Sequence, residues 1–172
     1  MPISVFVGLV AVVVLAVAWW GRAWWKFRGD RVVTCPENHR HAGVKVDAVH
    51  AAGKLRLRAC SRWPEKAGCG QECLAEIAAS PADCLVRNIA GKWYEGKTCA
   101  SCGKPLGRIE WGPSQPALLS ADKRSVEWKQ VPADQLFETL EAAKPICFAC
   151  HMASLLVREH PELAIERGRP KI

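Results

Sequence analysis

Pro145 to Pro161 reads PICFACHMASLLVREHP. Cys147 and Cys150 stand three positions apart, His151 follows directly, and the residues beyond have apolar side chains at helical spacing. Cys-x-x-Cys-His is the attachment pattern of a c-type haem, whereas Cys-x-x-Cys alone is half of a tetrahedral metal site. The choice between them turns on the compartment of this segment and on the other thiols it can meet.

A second pair lies upstream in KTCASCGKPLG, Lys97 to Gly107, with Cys99 and Cys102 on a tight turn that Gly103 relieves. A turn of this kind aims two sulfurs at one point, and two such pairs complete a four-thiolate shell. Cys147 and Cys150 open a helix expected over Cys147 to Glu159, whose positive dipole end favours thiolates. Pro161 lies just past its end. Between the pairs, RIEW, ALLS and SVEWKQV are candidate strands, and PADQLFETLEAAK reads as an amphipathic helix. Disulfides, an iron–sulfur cluster and a redox dithiol are the other fates open to these four thiols.

The order of a Cys-x-x-Cys-Gly knuckle, a hairpin, and a helix carrying the last Cys-x-x-Cys in its first turn resembles the treble-clef zinc finger, over about Lys97 to Glu159. The resemblance implies zinc on Cys99, Cys102, Cys147 and Cys150. Forty-four residues separate Cys102 from Cys147, more than a minimal finger needs, and the excess falls on the inserted helix at 134–144. In this setting His151 is expected on the helix surface or donating to a ligating sulfur.

Compartment is read from the start of the chain. Ile3 to Trp20, ISVFVGLVAVVVLAVAWW, carries no charge. Eighteen residues of helix span about 27 Å, close to the roughly 30 Å hydrocarbon core. Trp19, Trp20, Trp24 and Trp25 form an aromatic belt at its exit. Ala16-Val17-Ala18 fits a signal-peptide cleavage pattern, but MPIS before the apolar run lacks the Lys or Arg of such a leader. Arg22, Lys26, Arg28 and Arg31 follow the run against a single Asp30, which places the rest of the chain in the cytoplasm. The basic, amphipathic GRAWWKFRGDR is also suited to anionic headgroups. A reducing cytoplasm disfavours both disulfides and haem attachment there.

The first half holds five more of the nine cysteines. Cys35 precedes a hairpin expected over Val44 to Cys60, Cys60 ends it, and Cys69 and Cys73 flank the start of a short helix, QECLAEIAA. Cys35, Cys60, Cys69 and Cys73 are candidates for a second four-thiolate site, which would bring the zinc count from one to two. An iron–sulfur cluster on Cys60, Cys69, Cys73 and Cys84 is the alternative. A further helix is expected over SPADCLVRNIAGKWY, with Ser80 as its N-cap and Cys84 in its middle. Trp63, Trp93, Trp111 and Trp128 are the aromatic candidates for two small cores.

The formal charge of +7 is in large part a membrane-flank property, since residues 22–31 supply +3 of it. No basic run with interleaved aromatics, phosphate-binding loop or catalytic motif is present, so nucleic-acid binding and enzymatic activity are not indicated. The expectation is an α+β protein: a membrane helix and basic segment at 1–31, a cysteine-rich module at 32–95, and a treble-clef-like module at 96–172. Its expected role is that of an accessory subunit meeting a partner protein or membrane complex. Electron transfer, through haem on Cys147, Cys150 and His151 or through the iron–sulfur cluster, is the alternative.

Overall fold

The computed structural model describes residues 3–66 and 68–163. It opens with one helix, α1 (Ile3–Phe27), which continues unbroken through all four flanking tryptophans. Its 25 residues give a rod of roughly 37 Å, enough to cross a bilayer with some tilt. Most of its apolar side chains are uncovered among the described residues: Phe6, Leu15 and Trp19 are 68%, 70% and 65% exposed. One N-terminal helix is therefore long and apolar enough to span a membrane. At its end Trp24 and Trp25 meet edge to face at 5.7 Å. The Arg28 guanidinium lies 3.3 Å from the centre of the Trp25 ring.

The last carbonyls of a helix have no partner within it. Here Arg31 supplies one. Its Nη2 donates to Lys26 O at 2.7 Å, and its Nη1 to Phe27 O at 2.6 Å and Gly29 O at 3.1 Å. Gly29, at φ +100°, turns the chain out of the helix in a conformation that a side chain resists. Arg31 is fully buried although it stands in the basic run that follows the apolar stretch.

The chain divides into two compact units, one formed by 1–89 with 133–135 and the other by 90–132 with 136–172. In the first, β1 (Asp30–Thr34), β2 (His41–Val46) and β3 (Leu57–Cys60) form an antiparallel sheet in that order. Val32 pairs with Gly43, and Val44 with Cys60. Val33, Val44, Val46, Leu57 and Ile77 of α2 (Leu74–Ala79) make the core, together with Cys35, Cys73 and Cys84. Gly43 is required by a close approach, because a Cβ there would meet Ala133 at 2.9 Å.

In the second unit β5 (Ser125–Val126), β4 (Ala117–Leu119) and β6 (Lys144–Ile146) form another antiparallel sheet, with β4 central. Helices α4 (Leu136–Ala142) and α5 (Phe148–Glu159) flank β6 in sequence. Tyr94, the last residue of α3 (Val86–Tyr94), is fully buried and donates its hydroxyl to Ala117 O at 2.7 Å. Its ring meets Trp128 edge to face at 5.8 Å.

This is the α+β architecture the sequence implies, with several differences in detail. Asp30–Thr34 is a strand, which makes the first sheet three-stranded. The helix expected from Ser80 begins at Val86 instead, so Cys84 lies in a turn. The cause is non-local: Val32 N donates to Cys84 O at 2.8 Å, and Leu85 pairs with Arg31. RIEW forms no strand. Among the tryptophans, Trp128 is buried and Trp63 packs against the first core, while Trp111 is 37% exposed and Tyr94 takes the place expected of Trp93.

Replacing Arg31 with Met should remove the donor to the carbonyls of Lys26 and Phe27, both in part-buried hydrogen bonds, at a cost of roughly 2 kcal/mol. Arg31→Lys, which lacks the planar fork, should recover less than half of the loss. Thermal unfolding of the full chain in detergent measures both, and an unchanged midpoint for Arg31→Met would refute the capping role.

Candidate metal centre

Two backbone segments build the centre. In the first, Gly103 N donates to Cys99 O at 2.9 Å and Cys99 N to Lys104 O at 2.8 Å, while Thr98 pairs with Pro105. These bonds close the turn that carries Cys99 and Cys102. Gly103 sits at φ +73°, as the turn chemistry requires. In the second, β6 runs against β4 and delivers Cys147 as the N-cap of α5, with Cys150 in its first turn. Among the described residues one backbone-to-backbone hydrogen bond joins the two segments, from Ala100 N to Pro145 O at 2.8 Å.

The four ligand atoms of Cys99, Cys102, Cys147 and Cys150 all lie within 4.8 Å of one another. Cys102 Sγ and Cys147 Sγ are 3.8 Å apart, well beyond a disulfide bond of about 2.05 Å. The arrangement could hold a metal ion. Cys99 is buried among Ala117 and Ile146, whereas Cys102 is exposed. Cys147 N donates to Cys99 Sγ at 3.3 Å, and Cys150 N to Cys147 Sγ at 3.5 Å. Such bonds orient sulfurs and offset their charge.

Burial pushes the Cys99 thiol up, but the N–H groups of Cys147, Cys102 and Ser101 outweigh it and bring it down to about 6. Cys150 moves the other way, to about 12, chiefly through the hydrogen bond of its thiol to Cys147 and then through burial. The site is therefore partly ionised before any cation arrives.

His151 is not on the helix surface. It is 4% exposed, and its Nε2 lies 3.7 Å from Glu127 Oε1. No hydrogen bond from its ring to a ligating sulfur is present among the described residues. The reason is helical geometry: as the residue after Cys150 it turns away from the thiols and into the unit.

The remaining cysteines separate into two groups. Cys35, Cys60, Cys69 and Cys73 all line one small cavity of about 20 Å³. Among the described residues, the Cys99 set is the group whose ligand atoms are all mutually close, so the first quartet is the looser one. Burial, and then the neighbouring thiols Cys60, Cys69 and Cys35, push Cys73 up to about 11. Cys84 does not line that cavity; its thiol donates to Ser80 O at 3.5 Å and Pro81 O at 3.7 Å. Cysteine spacing gave no hint of Arg62, whose Nη1 lies 2.7 Å from Cys35 Sγ. Arg22 and Lys26 are exposed on α1 and Arg28 is half-buried just beyond it, beside the exposed Trp19, Trp20, Trp24 and Trp25.

Because Cys99 is ionised above about pH 6 without metal, loading the centre at pH 7.5 should displace fewer than four protons, and the number should rise towards four as pH falls through 6. Calorimetric titration in buffers of different ionisation enthalpy counts them, and a constant four would contradict the lowered Cys99. No family model matches this chain, and neither a curated protein nor a solved structure matches it, so the reading of the centre rests on its own geometry.

Proposed function

We propose that the chain is a single-pass, membrane-anchored zinc protein whose region beyond α1 lies in the cytoplasm. We propose further that it acts as an interaction or accessory subunit of a membrane-associated complex. The observation that carries the reading is the convergence of the four sulfurs of Cys99, Cys102, Cys147 and Cys150.

Zinc is favoured by the donor set and by size. Four thiolates suit it, and metal–sulfur bonds of about 2.3 Å give a tetrahedron with edges of roughly 3.8 Å. The Cys102–Cys147 contact has that length. The knuckle ending in Gly103, the paired strands β4 and β5, and α5 with Cys150 in its first turn support a treble-clef-type site, with α4 as the insertion. Haem on Cys147 and Cys150 is disfavoured because their sulfurs turn towards the other pair and His151 is committed to the interior beside Glu127.

A closed four-thiolate shell leaves no coordination position for a substrate. Its contribution is to staple a sheet and helix too small to hold their shape unaided. A stapled surface on a membrane anchor suits a subunit that presents itself to a protein partner. The apolar residues Met152, Leu156 and Val157, about half exposed along α5, fit that role. The cytoplasmic assignment follows from Arg22, Lys26, Arg28 and Arg31 beside the apolar span, and a reducing compartment keeps the thiols available as ligands.

The full chain purified in detergent should contain tightly bound zinc and lack the Soret absorption of a haem or the visible charge-transfer bands of an iron–sulfur cluster. Chelation should lower its unfolding temperature and open 97–159 to protease. A colourless, metal-free and fully folded preparation would overturn the zinc reading. For orientation, a fluorescent protein fused after Ile172 should fold and emit, while alkaline phosphatase at the same point should stay inactive. The reverse pattern would place the thiols outside the cytoplasm.

A further inference from the structure

We propose that Cys35, Cys60, Cys69 and Cys73 form a second four-thiolate site for a zinc-class cation, independent of the Cys99 centre. The four side chains reach one place from four parts of the first unit. Cys35 follows β1, and a turn closes behind it, with Cys35 N donating to Arg40 O at 2.9 Å and His39 N to Cys35 O at 2.8 Å. Cys60 is the last residue of β3, held by its pairing with Val44. Cys73 directly precedes α2, and Cys69 lies four residues before it, with Gln71 N donating to its sulfur at 3.4 Å. The sheet thus supplies two sulfurs and the approach to α2 supplies the other two.

What these sulfurs share is a void. The cavity of about 20 Å³ is closed by Val33, Leu57 and Trp63 along with the four cysteines. That volume accommodates about one water-sized occupant. Apolar side chains and the four cysteines make up most of its walls, with Arg62, Lys66 and Glu72 completing them, a setting that suits a thiolate-bound ion. The rim carries the complementary charge. A divalent cation with four thiolates bears about −2, and Arg62 Nη1 stands 2.7 Å from Cys35 Sγ. Arg62 is itself oriented by Glu37 at 3.3 Å. A guanidinium fixed against one ligand sulfur serves the same end as the backbone donors on Cys99 and Cys147.

Cys84 gives an internal control. It belongs to the same core, yet its thiol is hydrogen-bonded to Ser80 and Pro81 carbonyls away from the void. The ligand set is therefore Cys35 with the three later cysteines, and the ninth thiol remains a packed side chain. The cation draws together sulfurs that stand farther apart than those of the Cys99 group, so ordering of the first unit and loading of its site are coupled.

Zinc content and native mass of the full-length protein in detergent test the proposal. Wild type should carry two zinc ions per chain, and Cys60→Ser/Cys73→Ser and Cys99→Ser/Cys102→Ser should each carry one. A single ion lost from the Cys99/Cys102 variant and kept in the Cys60/Cys73 variant overturns this proposal and leaves the Cys99 centre standing. The opposite pattern overturns the Cys99 centre and supports this one. Should a variant not fold, alkylation of folded wild type decides. Cys35, Cys60, Cys69 and Cys73 should be protected as purified and should react after chelation, and reaction at the same rate in both states refutes a bound cation.

Discussion

Four sulfurs meet in the second unit because two short backbone segments are locked together, chiefly by one backbone-to-backbone hydrogen bond. Pro145 has no N–H to give the sheet, but its carbonyl accepts from Ala100 in the turn between Cys99 and Cys102. That bond ties the knuckle to the strand that leads into Cys147. Cys147 N donates to Cys99 Sγ across the same join, and within each segment Cys99 is bonded to Lys104 and Gly103 and Cys150 N to Cys147 Sγ. The geometry of the thiols is thus set largely by the main chain, which explains how three-residue strands can carry it. Side chains then close the interior with Tyr94, Leu118 and Leu136, none more than 1% exposed.

The two units reach a stable core by comparable means and with different tightness. Each combines a three-stranded antiparallel sheet with a cysteine at a strand end and another at the approach to a helix. In the second unit the sulfurs are already within mutual contact. In the first they face a common space, with Arg62 supplying charge compensation from a side chain. Backbone donors are fixed by the fold, whereas an arginine must be ordered at an entropic cost. A cation held there, as proposed, would therefore contribute more to the final order of the first unit.

Much of this was legible in the sequence, and the parts that were not have particular causes. The apolar span, the helix at Phe148–Glu159 and the pairing of the two Cys-x-x-Cys turns follow from local pattern and spacing. Strand β1 did not declare itself because Arg31, Val32 and Val33 are buried in succession, so the alternation of a one-sided strand is missing. Strand β6 was hidden by Pro145, which reads as a break but is acceptable on an edge strand. The start of α3 moved from Ser80 to Val86 because the carbonyl of Cys84 and the backbone of Leu85 are taken by β1, a partner more than fifty residues away. The local capping signal at Ser80 carries no trace of that competition. Arg62 and Arg31 were unreadable as functional groups, since nothing in a linear pattern separates a buried guanidinium from a solvated one.

The Arg31 cap has a mechanical meaning as well. The same residue closes the end of α1 and belongs to β1, with one glycine turn between them. A helix attached through a loose tether would let its cargo swivel; here Arg31 bonds back across the turn to Lys26, Phe27 and Gly29. Were the rod to sit in a bilayer, as proposed, any roll or lean that lipid thickness or a neighbouring helix imposed on it would arrive at the first sheet as torque, and an anchor of this build would also be a lever.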